Sequence, residues 1–394
     1  MTGVSSTEDS GEILNMVDRS AAVRLSLEVV REIIPAARPR LPGADAVLPY
    51  LRRMDDSRQY SNFGPLLREF EARLAMRFET VTQVVTCVNA TQALTLTLQA
   101  LDLPKGSLVA MPAYTFVASA HAVIAAGLTP WFLDVDGDDW MLRPETVRNA
   151  LATAPGPVSA VMPVAAFGAM PDLDAWKTLR DDTGLAVVLD AAAAFDQAQD
   201  ADLPTILSLH ATKVLGIGEG GFLATRDADL AARVRQLTTY GFQGSRISEI
   251  AATNAKLSEY ASAVGLAALD NWDADRLHFL RTARLMRAAM TFLPQVRFQP
   301  GWGIDWITSV CSVRLPDGAA DAVEHALEAL DIQTRRWWDQ GCHTNPAFAD
   351  CPQGELNATG VLAGSVIGLP FAVDMDERDI SRVAAAIATA LASL

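Results

Sequence analysis

Cysteine is scarce in this chain and shows no pattern. Cys87, Cys311, Cys342 and Cys351 are the only four in 394 residues. No two form a C-x-x-C pair, and their spacing suits neither a zinc site nor a disulfide framework. Free thiols in a reducing cytosol are the simplest account, so the expected location is the cytoplasm. No apolar run reaches the length needed to span a membrane. The opening residues, Met1 to Glu12, are polar and acidic, without the basic start and apolar core of a secretory signal. Positive charge is also short: 32 Lys and Arg against 47 Asp and Glu leave a net charge of −15. That excludes nucleic acid as a general partner and leaves room for a local basic pocket around an anionic substrate. There is no internal repeat and no low-complexity tract.

Half of the residues are hydrophobic, which allows a sizeable core, and the length suits one large and one small domain. Residues 1–20 are expected to be mobile, and Ala21 to Ile34 to form a short helix, so 1–34 reads as an N-terminal extension. Pro35, Pro39 and Pro42 then break regular structure. A turn at Tyr60 to Pro65 leads into a helix over Leu66 to Phe78, with Leu67, Phe70, Leu74 and Phe78 on one face.

From Val84 to Thr225 strand and helix alternate. Strands are expected at Val84–Val88, Leu108–Met111, Pro130–Val135, Ser159–Val164 and Ala186–Leu189. Helices are expected at Thr91–Leu101, Phe116–Ala126 and Asp172–Asp181. Such alternation predicts an α/β fold with a mostly parallel sheet covered on both faces. Asp227 to Tyr240 reads as a helix, Gly241 to Lys256 as a loop, and Ser258 to Phe292 as a long helix. The remainder changes character: strands at Val310–Leu315 and Ser365–Leu369, helices at Ala319–Leu330 and Asp376–Leu394. The expected division is a large domain over 35–272 and a smaller α+β domain over 273–394.

The chemistry centres on Ser208 to Gly221. An apolar strand, Thr205 to Leu209, delivers Lys213 into a glycine-rich turn, and a second strand, Phe222 to Thr225, leaves it. A lysine between buried strands is costly unless a partner or a covalent bond accommodates it. Held there, its pKa falls and it attacks carbonyls as a neutral amine. An imine with pyridoxal phosphate is the functional reading; a loop lysine in water is the bland one. Gly216, Gly218 and Gly221 match G-x-G-x-x-G literally. A dinucleotide fingerprint needs a helix to open inside the motif, and here a strand follows, which excludes it.

Ligands bind at the carboxyl ends of parallel strands, and four such ends carry suggestive residues. After Val88, the segment Asn89 to Leu94 starts a helix. Free N–H groups of Thr91 and Gln92, with the Thr91 hydroxyl, suit a phosphate; an ordinary cap is the alternative. After Met111 comes Phe116, which could stack on a planar ring or simply begin an apolar helix. After Leu189 comes Asp190, whose buried carboxylate needs a partner such as a protonated pyridine nitrogen. Ala191 to Ala194 leave room beside it for a flat ligand. Asp134 and Asp136 are the rival acids. Ser208, five residues before Lys213, could hold the same phosphate.

In this order the motifs resemble the DegT/DnrJ/EryC1/StrS family of sugar aminotransferases. The matching segments are Tyr60–Pro65, Asn89–Leu94, Pro112–Phe116, Phe132–Asp136, Asp190–Ala192, Ser208–Lys213 and Gly218–Gly221. Thr334–Trp338 with His343, and Leu369-Pro370, extend the likeness to the C-terminal part. The resemblance implies the aspartate-aminotransferase-type (type I) PLP fold, with pyridoxal phosphate as cofactor and pyridoxamine phosphate as its intermediate form. It implies Lys213 as the Schiff-base lysine and proton shuttle, Asp190 at the pyridine nitrogen, Phe116 on the ring, and Thr91, Gln92 and Ser208 at the phosphate. Asn254 matches a residue that reaches the other subunit's cofactor phosphate, which implies a homodimer with shared sites. His343, Arg335 and Trp338 would lie near the sugar nucleotide. Three departures stand out: Ala193 where the family usually has Gln or His, Val164-Ala165 where it often has Val-His, and Lys256 where it often has Arg.

The expected reaction moves an amino group from L-glutamate to a nucleotide-linked 4-keto-6-deoxy sugar, giving dTDP-4-amino-4,6-dideoxyglucose for a surface polysaccharide or a glycoside. Two alternatives stand beside it. A pyridoxamine-phosphate-dependent dehydratase resembles this chain, but those relatives carry His in place of the lysine. A non-catalytic cofactor-binding or regulatory member is suggested only by Ala165 and Ala193.

Overall fold

A computed structural model describes residues 32–394. The expected mobility of 1–20 and most of the helix expected at 21–34 lie outside the described residues. At its end, Ile34 is not helical; it makes an isolated parallel bridge with Ile332.

The large sheet is built from β1 (Gln83–Cys87), β2 (Leu108–Pro112), β3 (Thr129–Leu133), β4 (Val158–Val161), β5 (Ala186–Val187), β6 (Leu189–Asp190), β7 (Thr205–Ser208) and β8 (Gly221–Thr225). Two four-stranded runs, β3-β2-β4-β5 and β6-β7-β8-β1, form it. They join where Asp190 N donates to Pro163 O at 3.0 Å and Ala165 N donates to Asp190 O at 2.9 Å. β5 and β6 are thus one strand interrupted at Val188. All pairings are parallel except those of β8, which runs against both β1 and β7.

The strands are mostly apolar because both faces are covered. In β2, Val109 and Met111 face the layer that holds α3 (Ala90–Ala100), α4 (Val117–Ala125) and α7 (Ala228–Leu237). Leu108 and Ala110 face the opposite layer, with α5 (Pro144–Leu151) and α6 (Leu173–Thr183). The period of two along a strand produces that split.

On the outer side α1 (Ala44–Ser57) and α2 (Pro65–Ala75) pack against α8 (Glu259–Ala289), a continuous helix of 31 residues that runs through residue 273. Glu259 is fully buried, and its two carboxylate oxygens accept from Leu66 N and Leu67 N at 2.9 Å each. The first free amides of α2 are thereby satisfied from another helix. A side chain at position 64 would collide with that carboxylate: a Cβ there would lie 2.6 Å from Glu259 Cδ. Gly64 before Pro65 follows from this contact.

The C-terminal part holds an antiparallel sheet of β9 (Arg297–Phe298), β10 (Cys311–Arg314) and β11 (Val366–Leu369), covered by α9 (Ala320–Glu328) and α11 (Glu377–Ala392). A further helix, α10 (Asn357–Ser365), has no capping side chain of its own at Leu356. Asp134, at the end of β3, supplies the cap. Its Oδ2 accepts from Ala358 N at 2.8 Å, and its Oδ1 accepts from Thr359 N at 2.8 Å and Thr359 Oγ1 at 2.7 Å. This removes Asp134 as a rival to Asp190. Asp134→Ala is expected to lower stability by about 1–2 kcal/mol, read as a shift in the urea midpoint; an unchanged midpoint would contradict the capping role.

Candidate active site

Four strand ends and two connecting segments converge at the carboxyl edge of the sheet. The loop from β7 to β8 is tightly folded: Leu209 N donates to Gly220 O at 2.9 Å, Ala211 N to Gly218 O at 2.7 Å and Lys213 N to His210 O at 2.8 Å. Gly218 has φ of 98°, which excludes most side chains. A Cβ on Gly221 would lie 2.3 Å from Ala90 N. Glycine there lets β8 press against the first turn of α3.

Burial pushes the Lys213 ammonium below its ordinary pKa, and the carboxylate of Asp190 opposes that shift. The neutral, nucleophilic amine is therefore available at lower pH than on a free lysine. Asp190 is buried, and desolvation raises its pKa. Its Oδ2 accepts from Ser119 Oγ at 2.6 Å and its Oδ1 from Ala192 N at 3.1 Å. Ser119 was not anticipated. It sits one turn into α4 after Phe116, whose carbonyl accepts its N–H at 3.2 Å. The signal was a lone hydroxyl three residues after a strand-end aromatic.

At the start of α3 one detail is corrected. Gln92 N is not free; it donates to Asn89 Oδ1 at 2.8 Å, an ordinary cap. The amides without an acceptor among the described residues are those of Ala90 and Thr91, and they point out of the helix end where an anion is favoured. Ser208 is buried, its Oγ accepts from His210 N at 3.2 Å, and its own N–H donates to Ala192 O at 3.3 Å. Phe116 begins α4 and is 56% exposed, unlike the other aromatic of that turn, Tyr114, which is buried.

Asn254 lies on the exposed loop after α7. Its Oδ1 accepts from Lys256 Nζ at 2.5 Å, and the next residue, Ala255, accepts from Val88 N at 2.9 Å at the end of β1. Cys342 N donates to Ala113 O at 2.7 Å and so brings His343 to the turn after β2. Burial lowers the pKa of His343, and its Nδ1 is buried without a partner. Trp338 stacks on Phe167 at 3.8 Å between centroids and meets Tyr114 edge-on at 5.0 Å. Arg335 is tied by its backbone to Gly368 at 2.9 and 2.8 Å and its side chain is exposed. Its neighbour Arg336 turns inward to Asp321, Glu324 and Ala363 O.

One of the three departures lies against Asp190 and a second against Gly168. Ala165 is the residue whose N–H meets the Asp190 carbonyl, and Ala193 presents its own carbonyl 2.9 Å from where a Gly168 Cβ would stand. A lysine amine of lowered pKa, a buried carboxylate and an open helix start together fit pyridoxal phosphate, which carries an aldehyde, a basic ring nitrogen and a phosphate. Among the described residues no cluster of three or more potential ligands could hold a metal ion, and no helix is long and apolar enough to cross a membrane.

Residues 44–388 match the DegT/DnrJ/EryC1/StrS aminotransferase family. The chain belongs to that family. The aminotransferase uses pyridoxal phosphate, and its mostly parallel sheet is that of the type I fold. It is similar to a PLP-dependent aminotransferase from Bacillus cereus whose crystal structure superposes with a TM-score of 0.85, at 26% identity, over 91% of this chain and 100% of that one. The structure of DesI with its TDP-sugar product gives a TM-score of 0.80 at 32% identity, covering 91% and 93%. A dTDP-4-amino-4,6-dideoxy-D-glucose transaminase of Shigella dysenteriae is 32% identical over 60% of this chain and 64% of its own.

Proposed function

We propose that this aminotransferase moves an amino group from L-glutamate to a nucleotide-linked 4-keto-6-deoxy sugar. The favoured substrate is dTDP-4-keto-6-deoxyglucose, and the product is dTDP-4-amino-4,6-dideoxyglucose, used in a surface polysaccharide or a glycoside. The observation that carries the reading is a buried Lys213 amine, within the electrostatic reach of the buried Asp190 carboxylate and beside an open helix start. The two dTDP- and TDP-sugar relatives support the choice of acceptor.

Bound pyridoxal phosphate supplies an electron sink that stabilises negative charge at the carbon losing its proton. Lys213 Nζ holds the cofactor in the resting enzyme. Once released, its amine would take the proton from the donor's α-carbon and deliver it to the carbon that carried the cofactor's aldehyde, and would run the same transfer in reverse with the sugar. Asp190, steadied by Ser119 Oγ and Ala192 N, keeps the ring nitrogen protonated. The Ala90 and Thr91 amides, the Thr91 hydroxyl and Ser208 Oγ hold the phosphate, with the Gln92 side chain beside them. Phe116 covers the ring. His343 and Trp338 border the sugar, and Arg335 reaches the nucleotide from the exposed side. Asn254 of the partner subunit completes the phosphate site in a homodimer.

Lys213 argues against the dehydratase reading, which needs a residue unable to hold the cofactor covalently. Incubation with 15N-labelled L-glutamate and a panel of dTDP-, UDP- and GDP-linked keto sugars, followed by mass spectrometry, tests the proposal. The expected result is label in one dTDP-linked amino sugar with an equal amount of 2-oxoglutarate. Label in no sugar, or loss of water from the sugar without 2-oxoglutarate, would overturn it.

A further inference from the structure

Gly168, Ala193 and Thr308 come from three separate segments and meet at one point. A Cβ on Gly168 would lie 2.9 Å from Ala193 O and 3.1 Å from both Cβ and Oγ1 of Thr308. With φ of 111°, Gly168 lets the turn after β4 come this close. Thr308 belongs to the connection between β9 and β10, which is fastened to the large domain. Ile307 N donates to Asp196 Oδ2 at 3.0 Å, and the buried Asp196 is gripped by Arg276 of α8 at 2.6 and 3.2 Å. Ser309, the next residue, lines the same cavity as Lys213. Thr308 itself is 2% exposed, and its hydroxyl has no hydrogen-bond partner among the described residues. A buried hydroxyl left in that state is costly, so a partner is expected there.

We propose that Thr308 Oγ1 binds the ring oxygen of the cofactor, at the place where Ala193 offers no polar side chain. This rests on the reading of Lys213 as the lysine that holds the cofactor. Strand order carries the assignment. In pyridoxal phosphate the ring oxygen sits beside the carbon that bears the aldehyde, on the edge opposite the phosphate arm. The groups suited to the phosphate, Ala90 N, Thr91 N and Ser208 Oγ, follow β1 and end β7, where Gly221 at the start of β8 presses against Ala90. Asp190, suited to the ring nitrogen, ends β6, with β7 on one side and the residues after β4 on the other. The edge that remains therefore faces the segments after β4 and β6, where Gly168, Ala193 and Thr308 meet.

The chemistry agrees. The ring oxygen carries negative charge while the lysine link holds a proton, and a hydroxyl is a neutral donor that serves the oxygen without competing for that proton. Residues 191–194 are all alanine and have no side-chain donor to give. The polar contact has moved from the end of β6 to the β9–β10 connection, and the Asp196–Ile307 bond holds it there. The rival partner for the hydroxyl is the Ala193 carbonyl, its neighbour across Gly168.

Thr308→Val, Thr308→Ala and Thr308→Ser, each loaded with pyridoxal phosphate, test this by the pH titration of the visible band. A donor on the ring oxygen draws off part of its negative charge and weakens its hold on the link's proton, so removing the donor keeps the link protonated to higher pH. Thr308→Val and Thr308→Ala are each expected to raise the midpoint by about one pH unit, and Thr308→Ser to leave it within about 0.3 unit of the parent enzyme. Adding Ala193→Gln to Thr308→Val should bring the midpoint back, because an amide then donates from the other side. Asp190, whose carboxylate acts on Lys213, is unchanged in every variant. Calorimetric binding of pyridoxamine phosphate, which presents the same oxygen but cannot link to Lys213, should weaken about 10-fold in Thr308→Val and Thr308→Ala. A midpoint and an affinity unchanged in both variants would overturn the proposal. So would an unshifted midpoint with a lower melting temperature of the cofactor-free protein, which would assign the hydroxyl to the Ala193 carbonyl. A parent enzyme that takes up the cofactor without forming the lysine-linked band would contradict the reading of Lys213; the pyridoxamine phosphate affinities would still decide Thr308.

Discussion

Lys213→Ala, loaded with pyridoxal phosphate, is expected to transaminate at least about a thousandfold more slowly than the parent enzyme. Two functions are lost together: the amine that holds the cofactor and the base that moves the proton. The variant should also lack the visible absorbance of the lysine-linked cofactor and hold it only through phosphate, Asp190 and ring contacts. The fold should survive. Burial disfavours the charged form of Lys213 and the Asp190 carboxylate opposes this only in part, so alanine there removes a desolvation cost together with one ionic attraction. Steady-state rates, absorbance and a thermal melt check the three parts. Turnover within tenfold of the parent enzyme in folded, loaded variant would contradict the assignment.

Asp190→Asn is expected to reduce turnover by about 100- to 1000-fold while leaving the cofactor linked to Lys213. The carboxamide can still meet Ser119 Oγ and Ala192 N, so geometry persists. It carries no charge to keep a ring nitrogen protonated, and the electron sink is lost. A buried carboxylate beside a cation is stabilised in its ionised form, whereas the same group without the cation is pushed toward the neutral acid, which is the direction burial gives Asp190 here. Ser119→Ala should have a smaller effect of the same kind, about 10-fold, because Ala192 N still supports the carboxylate. The two rates, with the absorbance of each loaded variant, are the measurements. A larger loss from Ser119→Ala than from Asp190→Asn would mean that the serine, not the acid, acts on the ring.

The strands of the large sheet were legible because most of their residues on both faces are apolar, and the helices between them because their core residues recur at helical spacing. Three helices were not. α5 buries only Pro144 and Val147, too few for a periodic signal. α1 carries Pro49 in its interior, and prolines precede it at 35, 39 and 42. α10 has no apolar stripe, and its cap is Asp134, 224 positions away. The positions of Asp190, Ser208 and Lys213 followed from strand ends, since the carboxyl edge of a parallel sheet is where side chains meet a ligand. Ser119 did not, because a serine in a helix most often bonds its own backbone. The free amides were misassigned by one residue for a related reason: the Asn89 side chain reaches Gln92 N, leaving Ala90 N and Thr91 N to an anion. Local sequence announces a helix start without saying which of its amides the cap consumes.

The account's central claim is that Lys213 and Asp190 carry an amino group through the cofactor from glutamate to one sugar. A two-step absorbance titration of the purified, cofactor-loaded protein tests it most directly. L-Glutamate is added first, then dTDP-, UDP- and GDP-linked keto sugars in turn. The predicted result is loss of the visible band with glutamate and its return with one dTDP-linked keto sugar alone. A band that persists through glutamate and every other amino acid offered would contradict the claim, and would turn attention to Ala165 and Ala193 as marks of a member that binds the cofactor without using it.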